Sequence, residues 1–469
     1  MTDTLHSSSF RDPSGFLFRR NGTLLRQVND SYAEHYDQLM SSGLYNALVK
    51  KGWLVAHEEL ETEPAEANSS YRILQPELIP FISYPYEWSF SQYQDAALLT
   101  LDIQNLALDH GMTLKDASAY NIQFIGSRPV LIDTLSFEIY EEGSPWVAYR
   151  QYCQHFLAPL ALMSYRDVRL SQLMRAHIDG VPLDLTSELL PKRTRLRFGL
   201  FSHLVLHARS QKKMEHSNEG SRSFKVSAMA LRGLVSSLRN ATAKLEWKLP
   251  DTEWGDYYDD TNYSDEAAEK KAELVGAMLD AIGPKTVWDL GANTGLFSQL
   301  ASVRGAHTVA CDIDPVAVEK NYRMRRKAKD EKHLPLRLDL TNPSPALGWN
   351  HDERSSLAQR GPADAVIALA LIHHLAIGNN VPLSRVAEFL HSLSRHLIIE
   401  WVPKSDSQVK RLLSSREDIF PNYDKNGFEE AFTALFKVDR TVSIEGTERT
   451  LYALSSNGPT TENRSTRDA

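Results

Sequence analysis

The chain has 469 residues, of which 42% are hydrophobic and 24% charged, and its formal net charge is −8. At roughly 150 residues per domain this length implies two or three domains, and the composition excludes a disordered or collagen-like chain. The acidic balance gives no reason to expect a nucleic acid partner, although a local basic face can be concealed within an acidic total.

The cysteines and the apolar runs favour a cytoplasmic protein. Cys153 and Cys311 are the only cysteines, which suits a reducing compartment. No metal site is predicted, since neither C-x-x-C nor H-E-x-x-H occurs. The N-terminus has no apolar core typical of a secretory signal. The longest apolar runs, such as 365–372, are shorter than the roughly 18 residues of a membrane span, so no membrane partner is expected.

The sequence of the N-terminal part predicts a mixture of strands and helices. Residues 1–14 are predicted to be a flexible start, and Asn21-Gly22 is typical of a type I′ turn joining two strands. The predicted elements are a hairpin over 15–28, a helix over 31–53, a helix over 93–110 that ends at Gly111, two short strands at IQFIG and PVLID, and a mostly helical region over 146–206.

A polar stretch separates the two halves of the chain. Residues 208–223 carry no apolar period and are predicted as the main domain boundary, within a linker and connecting helix over 207–246. The second domain is predicted over 247–455, and the tail over 456–469 is predicted to be disordered.

Short apolar strands alternate with helical segments in the second half. This alternation predicts an α/β domain with a mostly parallel, Rossmann-like sheet. The predicted strands are TVWDLG, HTVACD, LPLRLD, DAVIALAL and HLIIEWV.

The first of these strands leads into a glycine-containing turn, TVWDLGANTGLFSQLA. Asp289 ends the strand, Gly291 allows a tight turn close to a ligand, and Gly295 stands at the entry to the next helix. The spacing is not G-x-G-x-x-G, which argues against a dinucleotide site.

Polar side chains also follow the next strands. Asp312 ends the second strand, where an acid can accept both hydroxyls of a ribose. Asp314 and Pro315 are equally well explained as the cap and first residue of the next helix. Asp339 follows the third strand and His373-His374 follow the fourth.

In this order the motifs resemble class I S-adenosylmethionine-dependent methyltransferases over residues 286–402, including those of the host-specific nodulation type. The resemblance implies S-adenosylmethionine as cofactor. It assigns Asp289, Gly291, Asn293 and Gly295 to the methionine part, Asp312 to the ribose, and Asp339 and Leu340 to the adenine. Apart from the resemblance, the aromatic and acidic patch over 253–266 could fold over the cofactor with Tyr263 as a contact, or be an aromatic-rich packing loop. Asn293 departs from the family's usual middle glycine, and Asn tolerates the same backbone conformation.

Three residues are predicted to act on the acceptor. His373 or His374 could remove a proton from an oxygen or nitrogen nucleophile, with packing against the cofactor region as the alternative. Glu400, at the end of a further strand, could bind the acceptor or position a water, or be a simple strand-end acid. The nodulation-type resemblance implies a small-molecule or saccharide acceptor, with a protein acceptor as the alternative.

The N-terminal part resembles a degenerate protein-kinase-like domain over residues 15–206. Asp116, Asn121 and Asp133 have the order of a kinase catalytic Asp and its two Mg²⁺ ligands, and Arg26 is only a candidate substitute for the kinase lysine, which is not evident. Leu114-Lys115, Thr134-Leu135 and the missing glycine-rich loop depart from the pattern. The resemblance therefore leaves open a phosphotransferase, a nucleotide-binding pseudokinase and a plain accessory domain. A non-catalytic scaffold that binds S-adenosylmethionine is a further alternative for the whole chain.

Overall fold

The computed structural model describes residues 3–208, 225–250, 265–414 and 416–458. It forms two compact units, one of Met1–Leu249 with Leu347–Glu353 and one of Pro250–Ala346 with Arg354–Ala469. Two units were expected, but the boundary falls after Leu249 and not within 208–223. Residues 209–224, most of the predicted linker, lie outside the described residues, as do 459–469 of the predicted tail.

A five-stranded antiparallel sheet begins the N-terminal unit, in the order β1-β2-β3-β5-β4. Its strands are β1 Asp3–Leu5, β2 Gly15–Arg20, β3 Thr23–Asn29, β4 His57–Leu60 and β5 Ser70–Pro76. Asn21 and Gly22 have φ of 52° and 83°, which confirms the predicted hairpin turn. The prediction of a flexible start is wrong from Asp3 onward, because β1 pairs with β2 and Arg20 forms an ion pair of 2.5 Å with Asp3.

Two helices replace the single one predicted over 31–53. α1 spans Ala33–Ser41 and α2 spans Leu44–Lys50. Gly43 separates them with a φ of 80°, a left-handed conformation that ends a helix and is readily adopted by glycine.

The long helix α3, Phe90–Asp109, agrees with the prediction over 93–110. Ser89 caps it by accepting a hydrogen bond from the Gln92 N–H, and Gly111 follows its end with a φ of 71°. Four short strands come next: β6 Met112–Leu114, β7 Ile122–Ile125, β8 Arg128–Leu131 and β9 Phe137–Ile139.

The rest of this unit is helical, as predicted for 146–206. Its α-helices are α4 Tyr149–Tyr152, α5 Ala158–Tyr165, α6 Leu173–Ala176, α7 Leu183–Leu189 and α8 Phe198–Leu200, with π-helical turns at Cys153–Leu157 and Phe201–Leu206. A further helix, α9 (Ala228–Ala243), packs on α3 through an Arg239–Asp102 ion pair of 2.7 Å. The residues predicted as a connecting helix therefore belong to the N-terminal unit.

The C-terminal unit contains a seven-stranded sheet in the order β12-β11-β10-β13-β14-β16-β15. Its strands are β10 Thr286–Leu290, β11 His307–Asp312, β12 His333–Arg337, β13 Ala363–Ala368, β14 Ser394–Trp401, β15 Phe436–Ser443 and β16 Thr450–Ser456. The first five are parallel, and β16 runs antiparallel between β14 and β15. This topology confirms the predicted Rossmann-like methyltransferase fold.

Helices cover the sheet. They are α10 Asp265–Ile282, α11 Leu296–Ser302, α12 Pro315–Ala328, α13 Leu383–Leu393, α14 Ser407–Leu413 and α15 Lys425–Thr433. One apolar core joins Val275 and Met278 of α10 to Val287, Ile367 and Ile398 of the strands. Because the central strands are buried on both faces, they appear in the sequence as continuous apolar runs.

Among the residues that the structure describes, none of the helices combines the length and the apolar character needed to cross a bilayer.

Candidate active site

The turn after β10 carries the glycine motif at the carboxyl edge of the sheet. Gly291, Asn293 and Gly295 have left-handed φ of 79°, 50° and 84°. The N–H groups of Gly291 and Ala292 both donate to the Cys311 carbonyl, which fixes the turn to β11. A Cβ at Gly295 would lie 2.4 Å from the Asn321 side chain. Both the conformation and the space therefore require glycine there.

Asp312 lies beside this turn at the end of β11. Its Oδ2 accepts the Asn293 N–H at 2.7 Å and its Oδ1 accepts the Asp314 N–H at 2.9 Å. Burial raises the pKa of Asp312 to about 6, against the opposing effect of these hydrogen bonds. Asp314 caps α12 by accepting the Val316 N–H at 2.8 Å, so the capping interpretation of Asp314 and Pro315 is confirmed.

Asp289 is buried behind the same turn. Its Oδ2 accepts a hydrogen bond of 2.6 Å from the Ser298 hydroxyl in α11. Burial raises the pKa of Asp289 to about 7, and the nearby Asp312 adds to the increase. Sequence reasoning missed Ser298, although it lies one helical turn into the helix that the glycine motif predicts.

The structure places the two residues assigned to the adenine after β12. Asp339 is partly exposed and accepts hydrogen bonds from the Thr341 N–H at 2.9 Å and the Thr341 hydroxyl at 2.6 Å. Leu340 is partly exposed beside it. Their contact with adenine stays a prediction. Tyr263, predicted to fold over the cofactor, lies outside the described residues.

The two histidines follow β13 and differ in their surroundings. Their rings are 4.1 Å apart between centroids. His373 is 1% exposed, and neither of its ring nitrogens has a hydrogen-bond partner among the described residues. Burial, and then the nearby His374, Arg449 and Lys271, lower its pKa well below 6.5. His373 is therefore neutral at physiological pH, and His374 is the more exposed of the two.

Glu400 ends β14 in a fully buried position. Its Oε2 accepts hydrogen bonds from Lys271 at 2.6 Å and from the Ala370 N–H at 2.8 Å, and its Oε1 lies 3.3 Å from Arg449. Ala370 has a left-handed φ of 48°, which is unfavourable for a residue with a Cβ. This geometry favours a positioning role for Glu400, which holds the turn that leads to His373, over contact with the acceptor.

Sequence reasoning missed the cations around Glu400. Lys271 is 4% exposed in α10 and lies 5.0 Å over the Phe297 ring. Arg449 is 2% exposed and pairs with both carboxylate oxygens of Asp406, at 2.7 and 3.1 Å. No local motif marks either residue, since their partners are distant in sequence.

The kinase-like residues of the N-terminal unit also lie close together. Arg26 of β3 forms an ion pair of 2.6 Å with Asp133. The Ser136 hydroxyl donates to Asp133 at 2.8 Å and accepts from the Asn121 amide at 3.3 Å. Burial and the nearby Asp133 raise the pKa of Asp116. Burial would raise the pKa of Asp133 as well, but Arg26 and the hydrogen bonds from Ser136 and Leu135 outweigh it and lower that pKa.

Over the described ranges, no group of three or more His, Cys, Asp and Glu side chains is arranged to hold a metal ion.

Comparison with known proteins gives a strong match over nearly the whole chain. Nodulation protein NoeA of Rhizobium meliloti (strain 1021) is 36% identical over 454 residues, covering 95% of each chain. No protein-family model matches.

Solved structures match over less than half of the chain. The protein WbdD, in complex with the kinase inhibitor LY294002, is 16% identical with a TM-score of 0.31, covering 43% of each chain. The magnesium protoporphyrin IX methyltransferase ChlM of Synechocystis PCC 6803, with bound SAM, is 21% identical with a TM-score of 0.31, covering 43% of this chain and 89% of its own. The N-methyltransferase NodS of Bradyrhizobium japonicum WM9 is 10% identical with a TM-score of 0.30, covering 41% of this chain and 98% of its own. Because these TM-scores are below 0.5, the fold assignment rests on the strand order of the C-terminal unit itself.

Proposed function

The chain belongs to the family of the nodulation protein NoeA, and we propose that its C-terminal unit transfers a methyl group from S-adenosylmethionine to an oxygen or nitrogen atom of an acceptor. The observation that carries this proposal is the pairing of the glycine turn with Asp312. The Asn293 N–H to Asp312 Oδ2 hydrogen bond of 2.7 Å joins the two parts that would hold the methionine and the ribose.

The residues at this edge of the sheet fit the cofactor. Gly291 leaves the backbone of the turn exposed, and Gly295 lets the start of α11 pack closely against Asn321. Asp312 offers carboxylate oxygens to hydroxyl groups, and Asp339 with Leu340 are the candidates to contact the base. S-adenosylmethionine supplies a methyl group on a positively charged sulfur, which is already electrophilic. The protein's main tasks are therefore to hold the nucleophile in line and to exclude water.

Of the two histidines, His374 is the better candidate for contact with the acceptor because it is partly exposed. A base there would take the proton of a hydroxyl or amine, which typically contributes about 10²–10⁴-fold to the rate. His373, buried and neutral, would pack behind it. Glu400 would position the histidines by holding the Ala370 turn, without contacting the acceptor. For the acceptor we propose a small molecule or a saccharide, with a protein acceptor as the alternative.

Calorimetry tests cofactor binding. We expect the full chain to bind S-adenosylmethionine and Asp312→Ala to weaken binding by at least about tenfold, since a charged hydrogen-bond acceptor contributes about 1.5–3 kcal/mol. The control is Asp439→Ala, an exposed acid on β15. The proposal fails if the unsubstituted chain does not bind, or if both variants bind equally well.

Methyl transfer is tested separately, with labelled cofactor and fractionated cell extracts. The expected result is a labelled small molecule or saccharide, and a slower transfer with His374→Gln at unchanged cofactor affinity. If cofactor binds but no fraction accepts the label, the chain is better described as a scaffold that binds S-adenosylmethionine.

The N-terminal cluster supports a second candidate function, the binding of a nucleotide. The supporting observation is the close grouping of Arg26, Asn121, Asp133 and Ser136. A thermal shift on addition of ATP and Mg²⁺ that Asp133→Asn abolishes would support it, and turnover of ATP would extend it to phosphotransfer. Absence of any shift would leave the N-terminal unit as an accessory domain.

A further inference from the structure

A short surface segment of the N-terminal unit combines exposed cations with exposed apolar side chains. We define the basic-apolar segment as residues 192–198, which follow α7 and end at the first residue of α8. Lys192, Arg193, Arg195 and Arg197 are all exposed. Leu196 is 89% exposed and Phe198 is 79% exposed. Residues 190–200 contain no acidic residue, so the segment forms a local positive patch on a chain whose net charge is −8.

The segment is held in place by its own buried residues. Thr194 is 2% exposed, and its hydroxyl donates to the Pro191 carbonyl at 2.7 Å. Leu200 is 4% exposed, and the backbone at Gly199 lies so close to Ala241 of α9 that an added Cβ would be 2.8 Å from its side chain. These anchors lie on either side of the exposed residues 195–198, so the exposure of Leu196 and Phe198 follows from a defined local fold.

The four cations have no use within the described structure. Among the described residues, none of them forms an ion pair or a side-chain hydrogen bond. Unpaired arginines are available to bind phosphates, which they can do with two parallel hydrogen bonds. A large apolar side chain exposed to this degree is unfavourable in water, and neighbouring ones mark a surface that another molecule covers.

We propose that the basic-apolar segment docks the protein on an anionic phospholipid surface. The cations would bind lipid phosphates while Leu196 and Phe198 enter the boundary between headgroups and acyl chains. Two protruding apolar side chains among cations favour a lipid surface over nucleic acid, since the aliphatic Leu196 offers no stacking face for a base. This partner departs from the expectation of no membrane partner, which rested on the length of the apolar runs and not on the charge of the surface.

Sedimentation of the full chain with vesicles tests the proposal. We expect binding to vesicles of equal parts phosphatidylglycerol and phosphatidylcholine, and none to phosphatidylcholine alone. Since each cation near an anionic surface contributes about fivefold, Arg193→Glu with Arg195→Glu should weaken binding by at least about twentyfold. The matched control is Lys327→Glu with Lys410→Glu, two exposed lysines of the C-terminal unit that change the net charge equally.

A second pair of substitutions tests the apolar contribution to vesicle binding. Leu196→Ser with Phe198→Ser should weaken vesicle binding by about tenfold or more. Leu78→Ser with Val303→Ser, which replaces residues 66% and 68% exposed elsewhere, should not. Unchanged circular dichroism melting of each variant shows that the fold is intact.

Three results would overturn the proposal. The first is no binding of the unsubstituted chain to the mixed vesicles. The second is an equal loss in the Lys327 and Lys410 control. The third is unchanged binding in the serine pair together with equally tight binding of a short DNA duplex, which would assign the segment to a soluble polyanion.

Discussion

Buried charge at the residue scale is concentrated around Glu400. Lys271, Arg449 and Asp406 complete a network of two cations and two anions, in which every carboxylate faces a cation. Charges taken out of water are tolerated only when they are paired and hydrogen-bonded. Burial lowers the pKa of Lys271, and Glu400 opposes that effect. The charges of the network are therefore balanced, and Glu400 holds the Ala370 turn through the hydrogen bond from the Ala370 N–H.

Replacing Glu400 by Gln should destabilise the C-terminal unit by about 3–5 kcal/mol, because buried Lys271 loses its ion pair with Glu400 and buried Arg449 keeps only the one with Asp406. Chemical denaturation measures the difference. Glu388→Gln serves as control, since Glu388 pairs with Arg385 on the surface and such a pair contributes about 0–1 kcal/mol. Equal effects of the two substitutions would contradict this account of Glu400.

Asp312 should make cofactor affinity depend on pH. Its pKa is raised to about 6, so the carboxyl group takes up a proton as the pH falls through this value. The protonated oxygen then no longer accepts a hydrogen bond from a ribose hydroxyl in the same way. If the ionised form binds the ribose, affinity should be constant above about pH 7 and should fall by up to about tenfold per pH unit below 6. Calorimetry at pH 5 and pH 8 measures the difference.

The same raised pKa has an opposite consequence for folding. Since the folded state retains the proton to a higher pH than the unfolded chain, Asp312 costs no stability below its unfolded pKa of 3.8. The cost grows as the pH rises from there to about 6 and is constant above. Loss of cofactor affinity at low pH would therefore not reflect unfolding caused by this residue. An equal affinity at both pH values would contradict the ribose assignment.

At the scale of elements, glycines show where the chain's conformation is constrained and where it is not. Gly295 stands at the start of α11 with a φ of 84° and the Asn321 side chain against it. Gly233 lies in the exposed part of α9 with nothing within 4 Å of an added Cβ. The same substitution should therefore have opposite effects at the two positions.

Gly295→Ala should destabilise the protein by about 1–3 kcal/mol through backbone strain and collision, and it should weaken cofactor binding as well. Gly233→Ala should stabilise it by about 0.5–1 kcal/mol, because glycine is unfavourable inside a helix. Thermal unfolding of the two variants measures the sign of the change in stability for each substitution. A shift in the same direction would show that the turn at Gly295 is less constrained than its contacts imply.

For the whole molecule, the division into two units predicts a local response to ligand. S-adenosylmethionine at a concentration of 100 times its Kd should add about 2.7 kcal/mol to the stability of the unit that binds it. Scanning calorimetry should then show two transitions, of which the cofactor shifts only one. Gly295→Ala should lower that same transition. A single transition, or equal shifts in both, would contradict unfolding by units.

The central strands of the C-terminal sheet could be predicted closely from sequence. Strand β11, His307–Asp312, has the bounds of the predicted HTVACD segment. The Asn21-Gly22 turn and the end of α3 at Gly111 could be predicted from sequence equally well. Each of these signals is local, because an apolar run, a turn dipeptide or a helix-ending glycine acts on neighbouring residues.

Other features depended on residues far apart in the chain. The sequence did not show that residues 228–243 dock on α3, where Arg239 meets Asp102. It did not indicate Lys271 and Arg449 as the partners of Glu400, and it suggested a catalytic role for a carboxylate that proves to be fully paired. It also placed the domain boundary in a polar stretch, although the compact N-terminal unit extends to Leu249.

The sequence alone therefore determined the α/β class, the positions of the central strands along the chain and the glycine turn after the first of them, since strand ends and glycine turns are encoded by adjacent residues. Only the tertiary structure decided which charges are buried together, which histidine is enclosed and which cations are exposed beside apolar side chains. Burial and ion pairing are produced by folding, which brings distant segments into contact and removes them from water.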